Sequence, residues 1–162
     1  MELDFFTKGD IEDDIGRIQT LLQTEIFLPT NINHPLCKSA FIDLLICLRD
    51  LMYKAEKYST RINFDDDVLK TDKISDVTDL IKFVRDALCH PDIPHHYLVK
   101  GQIKATYNIA FGKCTLIQMG DITIKSDYDD DICFFFGEQK IYFKRHILRA
   151  YEEAKQKLLP LL

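Results

Sequence analysis

The stretch ISDVTDLIKFVRDALCHP, residues 74–91, decides the fold of this chain. Apolar side chains recur in it every three or four residues, a spacing that predicts an α-helix with one buried face. These apolar positions are Ile74, Val77, Ile81, Val84 and Leu88. Ser75 or Asp76 is expected to cap the helix, and Pro91 disfavours helical geometry in the residue before it. The sequence therefore predicts a helix over about 75–90.

The same spacing predicts two earlier helices and one later helix. The first is expected over about 10–27, where Asp10 and the acidic residues after it suit the positive end of a helix. Asn33-His34-Pro35 is typical of a second helix start, with proline in the first turn. The following stretch, 36–58, is apolar on nearly all sides, so we expect this helix to contact both the core and a partner subunit. A final helix is expected over about 145–159.

Between the third and the last helix, the apolar pattern changes to a period of two. Alternation over 103–111 predicts a half-buried strand, and short strands are expected near 114–119 and 121–126. Cys133-Phe134-Phe135-Phe136 and Ile141-Tyr142-Phe143, separated by a turn that contains glycine, predict a hairpin. The chain is thus expected to form three helices, a small antiparallel sheet and one further helix.

Length and composition fit a single globular domain over residues 1–162. Of the 162 residues, 46% are apolar and 29% are charged, which is ordinary for one domain. No apolar run approaches the ~20 residues that cross a bilayer, and the N-terminus lacks the features of a signal peptide. The five cysteines are odd in number and scattered, which favours reduced thiols. We therefore expect a cytoplasmic protein without a membrane segment.

The charge is acidic overall and unevenly distributed. A net charge of −5 argues against a protein that coats nucleic acid without specificity. Residues 1–81 carry a net charge of −7, whereas residues 82–162 carry +2. The basic residues near the C-terminus form either a local basic face or a solvated helix face. They are Lys140, Lys144, Arg145, Arg149, Lys155 and Lys157.

Arg85 and His90, near the end of the third predicted helix, are the candidate catalytic residues. A guanidinium holds a phosphate in a fixed fork, and an imidazole moves a proton near neutral pH. Five residues apart on a helix, the two side chains differ by about 140° in rotation and about 7.5 Å in rise. They do not share a face, but both can border a groove at the helix end, particularly one that a second copy completes. Asp86 is expected to share a face with His90 and to favour the protonated imidazole. The alternative is that His90 only caps carbonyl groups.

Histidines and a cysteine cluster next to this stretch. Imidazole and thiolate groups suit zinc, but the spacing matches no closed structural site and no second Cys/His pair has zinc-ribbon spacing. The candidate ligands are Cys89, His90, His95 and His96. We therefore expect no native metal. A structural or metal-linked role for this cluster is kept as a separate hypothesis.

Four acidic residues match positions 1, 3, 5 and 12 of a calcium-binding loop. They are Asp127, Asp129, Asp131 and Glu138. Ile132 stands where that loop requires glycine, so we reject an EF-hand and expect a solvated acidic loop. The glycine-rich loops that bind phosphate groups of cofactors are absent as well, and no cofactor is expected.

The motif Arg85-Asp86-Ala87-Leu88-Cys89-His90 at the end of the third helix resembles the hallmark of the HEPN (higher eukaryotes and prokaryotes nucleotide-binding) superfamily. That signature is an arginine, a polar residue, a few variable residues and a histidine. The apolar second helix, with Asp43-Leu44-Leu45, and the closing helix are also similar to those of the family. The resemblance covers residues 10–90 and the last helix, and the strands between them look like an insertion. It suggests a branch found on bacterial plasmids and in defence or toxin contexts.

The resemblance implies a mainly helical α+β fold, in which a four-helix HEPN-like bundle carries a small antiparallel β-sheet over about 101–144, before the last helix. It also implies a homodimer whose two motif-bearing helices face each other across a shared cleft. Many HEPN proteins are metal-independent endoribonucleases. By resemblance, His90 would be the general acid or base, Arg85 would hold the scissile phosphate, and Asp86 would be an auxiliary residue that orients one of them.

The products of such cleavage are a 2′,3′-cyclic phosphate and a 5′-hydroxyl, and the required 2′-hydroxyl excludes DNA. RNA is the expected substrate, in a toxin or phage-defence role with an antitoxin as a further partner. The alternative is a dimeric HEPN module that binds RNA, nucleotide or protein without catalysis. The acidic balance of the chain motivates that alternative.

Overall fold

The computed structural model describes residues 3–90, 94–98, 103–120 and 122–162. Within these ranges, the chain has an α+β fold with four α-helices, about 52% helical content and small antiparallel sheets. The helices are α1 (Phe5–Gln23), α2 (Cys37–Tyr58), α3 (Val77–Cys89) and α4 (Arg149–Leu158). The strands are β1 (Tyr97–Leu98), β2 (Ile103–Lys104), β3 (Asn108–Phe111), β4 (Cys114–Met119), β5 (Ile122–Ser126), β6 (Ile132–Phe136) and β7 (Gln139–Tyr142). No helix in the described ranges is long and apolar enough to cross a membrane.

Aspartate caps set the starts of two helices. The carboxylate of Asp76 accepts a hydrogen bond from the backbone N–H of Asp79 at 3.1 Å, so the predicted cap of α3 is confirmed. Asp4 accepts in the same way from the N–H of Thr7 at 2.9 Å. This cap starts α1 at Phe5, before the predicted start near residue 10.

Helix α2 lies at the centre of the bundle and packs against α1, α3 and α4. Ten of its 22 residues are buried. The exposed part is a narrow stripe that includes Ile46 and Tyr53, whose side chains are 45% and 56% exposed. Two large apolar side chains of α2 are therefore exposed in the single chain, and the expected contact of this helix with a partner subunit stays a prediction.

The central strand β6 is buried on both sides, which explains its continuous apolar sequence. It pairs antiparallel with β3 and β7. Phe134 stacks on Phe41 of α2, with ring centroids 3.9 Å apart. On the opposite face, Phe135 packs with Cys133 and Tyr142 in a second, smaller core. Side chains of the β4–β5 hairpin contribute to that second core, so the hairpin covers the outer side of the sheet.

The predicted strands differ from the structure in two respects. The expected strand over 103–111 is divided, because Ala105 donates its N–H to the carbonyl of His96 at 2.7 Å and Tyr107 turns into the core. The strands also form three separate antiparallel ladders in the described residues, β1–β2, β3–β6–β7 and β4–β5, instead of one small sheet. Residues 101, 102 and 121 of the predicted β region lie outside the described residues.

The last helix begins differently from the prediction. A π-helical turn, Phe143–Leu148, precedes α4. The buried carboxylate of Asp131 accepts hydrogen bonds from the backbone N–H groups of Lys144 at 2.9 Å and Arg145 at 3.2 Å. Because Asp131 lies far away in sequence, local periodicity could not indicate this turn.

Candidate active site

The predicted catalytic residues lie at the C-terminal end of α3. Arg85 and Asp86 occupy its last two turns, and their side chains are each 31% exposed. His90 is the exposed C-cap residue, and its N–H donates to the carbonyl of Asp86 at 3.1 Å. The helix end thus presents a guanidinium and an imidazole together at the surface.

Asp86 contacts Arg85 and not His90. An Nη atom of Arg85 lies 2.6 Å from a carboxylate oxygen of Asp86. The described hydrogen bonds include none between the side chains of Asp86 and His90. His90 leaves helical geometry, with φ −129° and ψ 87°, as expected for a residue that precedes proline. In an ideal helix, the side chains of Asp86 and His90 would lie on the same face, and the departure of His90 from helical geometry removes that arrangement.

Arg85 keeps donors free despite its bond to Asp86. Asp86 binds one of its Nη atoms, and the second Nη atom has no hydrogen-bond partner among the described residues, whereas the Nε atom is buried. A guanidinium carries five N–H donors, and a carboxylate on one nitrogen leaves the others for a second anion. The Arg85–Asp86 pair can therefore position the guanidinium and still bind a phosphate.

A second histidine fixes the backbone of His90. The Nε2 atom of His96 lies 3.3 Å from the carbonyl oxygen of His90. That oxygen can only accept, so Nε2 carries the hydrogen and the imidazole is the donor. His96 is 1% exposed, and its Nδ1 atom is buried without a partner among the described residues. His96 thus satisfies one of the carbonyls left open at the helix end.

The described side chains of the histidine and cysteine cluster next to α3, those of Cys89, His90 and His96, do not form a ligand set. The described residues include no group of three or more His, Cys, Asp or Glu side chains placed to hold a metal ion. The side chain of His95 lies outside the described part of the chain. Cys89 is exposed, whereas His96 is buried and faces a carbonyl oxygen. Sequence reasoning treated His96 as a candidate ligand and missed its contact with His90.

A groove between α2 and α3 extends along α3 as far as Lys82, three residues before Arg85. Its volume is about 250 Å³. The lining residues are Arg49, Met52, Tyr53, Glu56, Arg61, Thr78, Asp79, Ile81 and Lys82. Arg61 binds the carboxylates of Glu56 at 3.0 Å, Asp76 at 2.8 Å and Asp79 at 2.7 Å. The hydrogen bond that Arg61 donates to Asp76 raises the pKa of Arg61 further above its ordinary value, so Arg61 stays charged and offsets part of the negative charge at this end of the groove.

The basic residues near the C-terminus do not form a free basic face. Arg145 binds Asp130 at 2.9 Å and the buried Asp131 at 3.0 Å, and its guanidinium stacks on the ring of Tyr128. Arg149 binds Asp66 at 2.8 Å. The neighbouring cations show the same internal pairing, with Lys140 on Asp127 and Lys144 on Asp130. These contacts neutralise most of the positive charge noted in the sequence.

The acidic loop over 127–131 is part of the same network. The hydrogen bond from Lys140 lowers the pKa of Asp127 to about 2. Asp131 is fully buried and holds the π-helical turn. Two of the three aspartates that matched the calcium template within this loop therefore have structural partners inside the chain. Asp129 is exposed.

His146 was not singled out by its sequence, and the structure places it in the core. Its Nδ1 accepts from the N–H of Tyr142 at 3.1 Å, and its Nε2 lies 2.8 Å from the carbonyl oxygen of Asp66. Burial lowers the pKa of His146 below its ordinary value. This histidine is neutral and fully satisfied, which leaves His90 as the exposed histidine beside an arginine in the described site.

Comparison of the chain with protein-family models, with curated proteins and with solved structures found no match. The candidate site therefore stands on its own geometry. That geometry is a phosphate-binding type of side chain and a proton-transferring type of side chain at one helix end, next to an open groove.

Proposed function

We propose that this protein is a metal-independent endoribonuclease of the HEPN type, acting in the cytoplasm as a toxin or phage-defence effector. One observation carries the proposal: Arg85 and His90 lie at the exposed end of the same helix, and Asp86 binds only one of the two Nη atoms of Arg85. Neither residue has a described role in the core. A surface arginine and histidine placed in this way suit a phosphate diester as substrate.

In the proposed reaction, the 2′-oxygen of the RNA attacks the adjacent phosphorus, and the bond from phosphorus to the 5′-oxygen breaks. His90 accepts the proton of the 2′-hydroxyl or donates a proton to the leaving 5′-oxygen. Arg85 stabilises the charge that develops on the phosphate oxygens. Asp86 acts through Arg85, because its carboxylate holds that guanidinium at 2.6 Å. The products are a 2′,3′-cyclic phosphate and a 5′-hydroxyl.

We further propose that the enzyme is a homodimer with a composite cleft. One chain supplies one Arg85 and one His90, whereas cleavage needs both an acid and a base. The Ile46 end of the exposed stripe of α2, and not its Tyr53 end, offers a surface for a second copy, because half-buried Ile42 and exposed Ile46 lie one turn apart on it. Helix α2 also packs against α3, so a contact at this stripe would bring two copies of the motif near each other.

The experiment compares wild-type protein with Arg85→Ala and His90→Ala on single-stranded RNA, with the RNA products identified by mass spectrometry. We expect wild-type protein to give cyclic-phosphate ends, and each substitution to lower the rate by about 100-fold or more. His34→Ala is the matched control, because His34 is exposed and lies before α2. Circular dichroism checks that each variant is folded. Equal cleavage by wild type and His90→Ala would overturn the assignment.

A non-catalytic dimeric module that binds RNA, nucleotide or a partner protein is the second candidate function. The observation that favours it is the bond between Asp86 and Arg85, since the same carboxylate does not reach the imidazole of His90. Such a module would bind RNA without turnover. Cyclic-phosphate products that are lost in the motif variants would exclude it. An antitoxin partner is proposed for the toxin role, and co-expression with the neighbouring gene tests it.

A further inference from the structure

Arg49 is the exception among the arginines of this protein. The other five each bind a carboxylate: Arg17, Arg61, Arg85, Arg145 and Arg149. Arg49 has no ion pair or hydrogen bond among the described residues, and its Nε atom is buried without a partner. The two Nη atoms of a guanidinium carry four further N–H donors, and those of Arg49 have no partner among the described residues. An anion in the groove that Arg49 lines could accept from them.

Arg49 shares this groove with a second cation. Lys82, on α3, lines the same space and has no acidic partner among the described residues. It precedes Arg85 by three residues, so both side chains project from neighbouring positions on one face of α3. Glu56 and Asp79 line the other part of the groove, and Arg61 binds both and offsets part of their negative charge. Arg49 and Lys82 are therefore the lining cations that have no carboxylate partner in the described part of the chain.

An aromatic ring lies beside these cations. Tyr53 lines the same groove, is 56% exposed, and follows Arg49 by one helical turn. An exposed aromatic ring next to cations is the arrangement with which proteins bind single-stranded nucleic acid, because the base stacks on the ring and the phosphate binds the cation. A base can stack in this way only when it is not paired within a duplex.

We propose that the groove between α2 and α3 binds a nucleotide of single-stranded RNA adjacent to the cleaved bond. Arg49 and Lys82 bind its phosphate, and Tyr53 stacks on its base. The inference rests on the proposed function, because Arg85 defines where the cleaved phosphate lies. The proposed site adds three RNA-binding residues on two helices to the motif, together with a preference for unpaired RNA. The motif alone indicates neither.

The test measures binding separately from cleavage. The probe is a fluorescein-labelled 12-nucleotide RNA with 2′-O-methyl groups, which cannot be cleaved, used as a single strand and as a duplex. Fluorescence anisotropy gives the affinity of wild-type protein and of Arg49→Gln, Lys82→Gln and Tyr53→Ala at several salt concentrations. Lys113→Gln is the control, because it removes the same charge from an exposed position in the turn between β3 and β4.

We expect each glutamine substitution in the groove to weaken single-strand binding about three- to tenfold and to reduce the slope of log affinity against log salt by about 0.7. Tyr53→Ala is expected to weaken binding about tenfold with little change in that slope. Lys113→Gln should change affinity less than about twofold. Thermal unfolding confirms that all variants are folded. Groove variants that match Lys113→Gln, or a duplex that binds as tightly as the single strand, would overturn the proposal.

The same variants separate this inference from the proposed function. If wild-type protein cleaves RNA through His90 but Arg49→Gln and Lys82→Gln leave both KM and kcat unchanged, the binding groove is refuted and the endoribonuclease stands. If wild-type protein cleaves no RNA and yet the groove variants weaken binding of the 2′-O-methyl strand, the groove stands and the catalytic assignment fails. If Arg49→Gln and Lys82→Gln raise KM and leave kcat unchanged, the result supports both the binding groove and the endoribonuclease assignment.

Discussion

The carboxyl group of Asp14 allows a quantitative prediction about stability. Asp14 is half-buried on α1 and faces Asp50 of α2. Burial, and then the hydrogen bond with Asp50, raise the pKa of Asp14 to about 7. The nearby Lys54 is engaged elsewhere, since it binds Asp50 and lies 3.5 Å from Asp10. Asp14 therefore ionises near neutral pH without a cation of its own.

The sign of the effect follows from proton binding. The folded pKa of Asp14 lies above its unfolded value of 3.8, so the folded state holds the proton more tightly. The stability that this proton supplies is complete below about pH 4 and is lost as the pH rises through 7. If Asp14 were fully shielded from solvent, the loss of unfolding free energy between these pH values would be roughly 4 kcal/mol. Because Asp14 is only half-buried, solvent screening reduces it to about 1–2 kcal/mol.

Asp14→Asn removes the ionisation and keeps a donor for Asp50. We expect the variant to have about the same free energy of unfolding as wild type at pH 4 and to exceed it by about 1–2 kcal/mol at pH 8. Urea unfolding followed by circular dichroism measures both values, at one ionic strength and one protein concentration, with unchanged m-values as the test of comparability. Asp13→Asn is the control, because Asp13 is its exposed neighbour on α1.

The reasoning is refuted if the difference between Asp14→Asn and wild type does not change with pH. It is also refuted if the variant is less stable than wild type at pH 8, because the carboxylate would then contribute a favourable interaction. A pH-dependent gain of the same size in Asp13→Asn would show a general charge effect and not the environment of Asp14.

Three further substitutions test the core, the π-helical turn and the end of α3. Phe41→Ala should lower the free energy of unfolding by about 3–5 kcal/mol in urea titrations, because Phe41 is buried and stacks on the sheet. The control Phe5→Ala, at an exposed position, should lower it by less than about 0.5 kcal/mol. Losses of equal size in the two variants would contradict the stacking of α2 on the sheet. Asp131→Ala should lower the free energy of unfolding by about 2–4 kcal/mol, measured by thermal unfolding, whereas Asp129→Ala, at an exposed position, should leave it unchanged. An Asp131→Ala variant as stable as wild type would show that Asp131 does not hold the π-helical turn. His96→Leu should speed amide hydrogen exchange in the last turn of α3 about fivefold, and unchanged exchange would show that the contact with the His90 carbonyl is not stabilising.

Local sequence patterns account for the helices because each has a buried stripe at helical spacing. Helix α3 follows its predicted pattern closely, from the cap at Asp76 to an end set by the residue before proline. The start of α1 was missed because Phe5 and Phe6 are exposed aromatic residues that add no periodic signal. The π-helical turn was missed because its cap, Asp131, is remote in sequence. Features that depend on a single distant side chain leave no local pattern.

The candidate site divides in the same way. The motif was visible because Arg85 and His90 are close in sequence and end a periodic helix. The bond between Asp86 and Arg85 and the contact of His96 with His90 were not, since they depend on the extended backbone of His90. Arg49 gave no signal at all. A single arginine in an apolar helix is ordinary, and only the absence of a described partner distinguishes it.

Internal charge pairing explains how an acidic protein could bind RNA at one place. Most cations near the C-terminus are neutralised by carboxylates of the same chain, so they would release few counterions from a nucleic acid and contribute little non-specific affinity. Arg49 and Lys82 are unpaired in the described part of the chain and line one groove, and Lys82 precedes Arg85 by three residues on α3. RNA affinity would then depend on the few cations at the cleavage site and not on the net charge of −5. A strand bound elsewhere would dissociate quickly, and binding would be coupled to the position at which Arg85 and His90 can act.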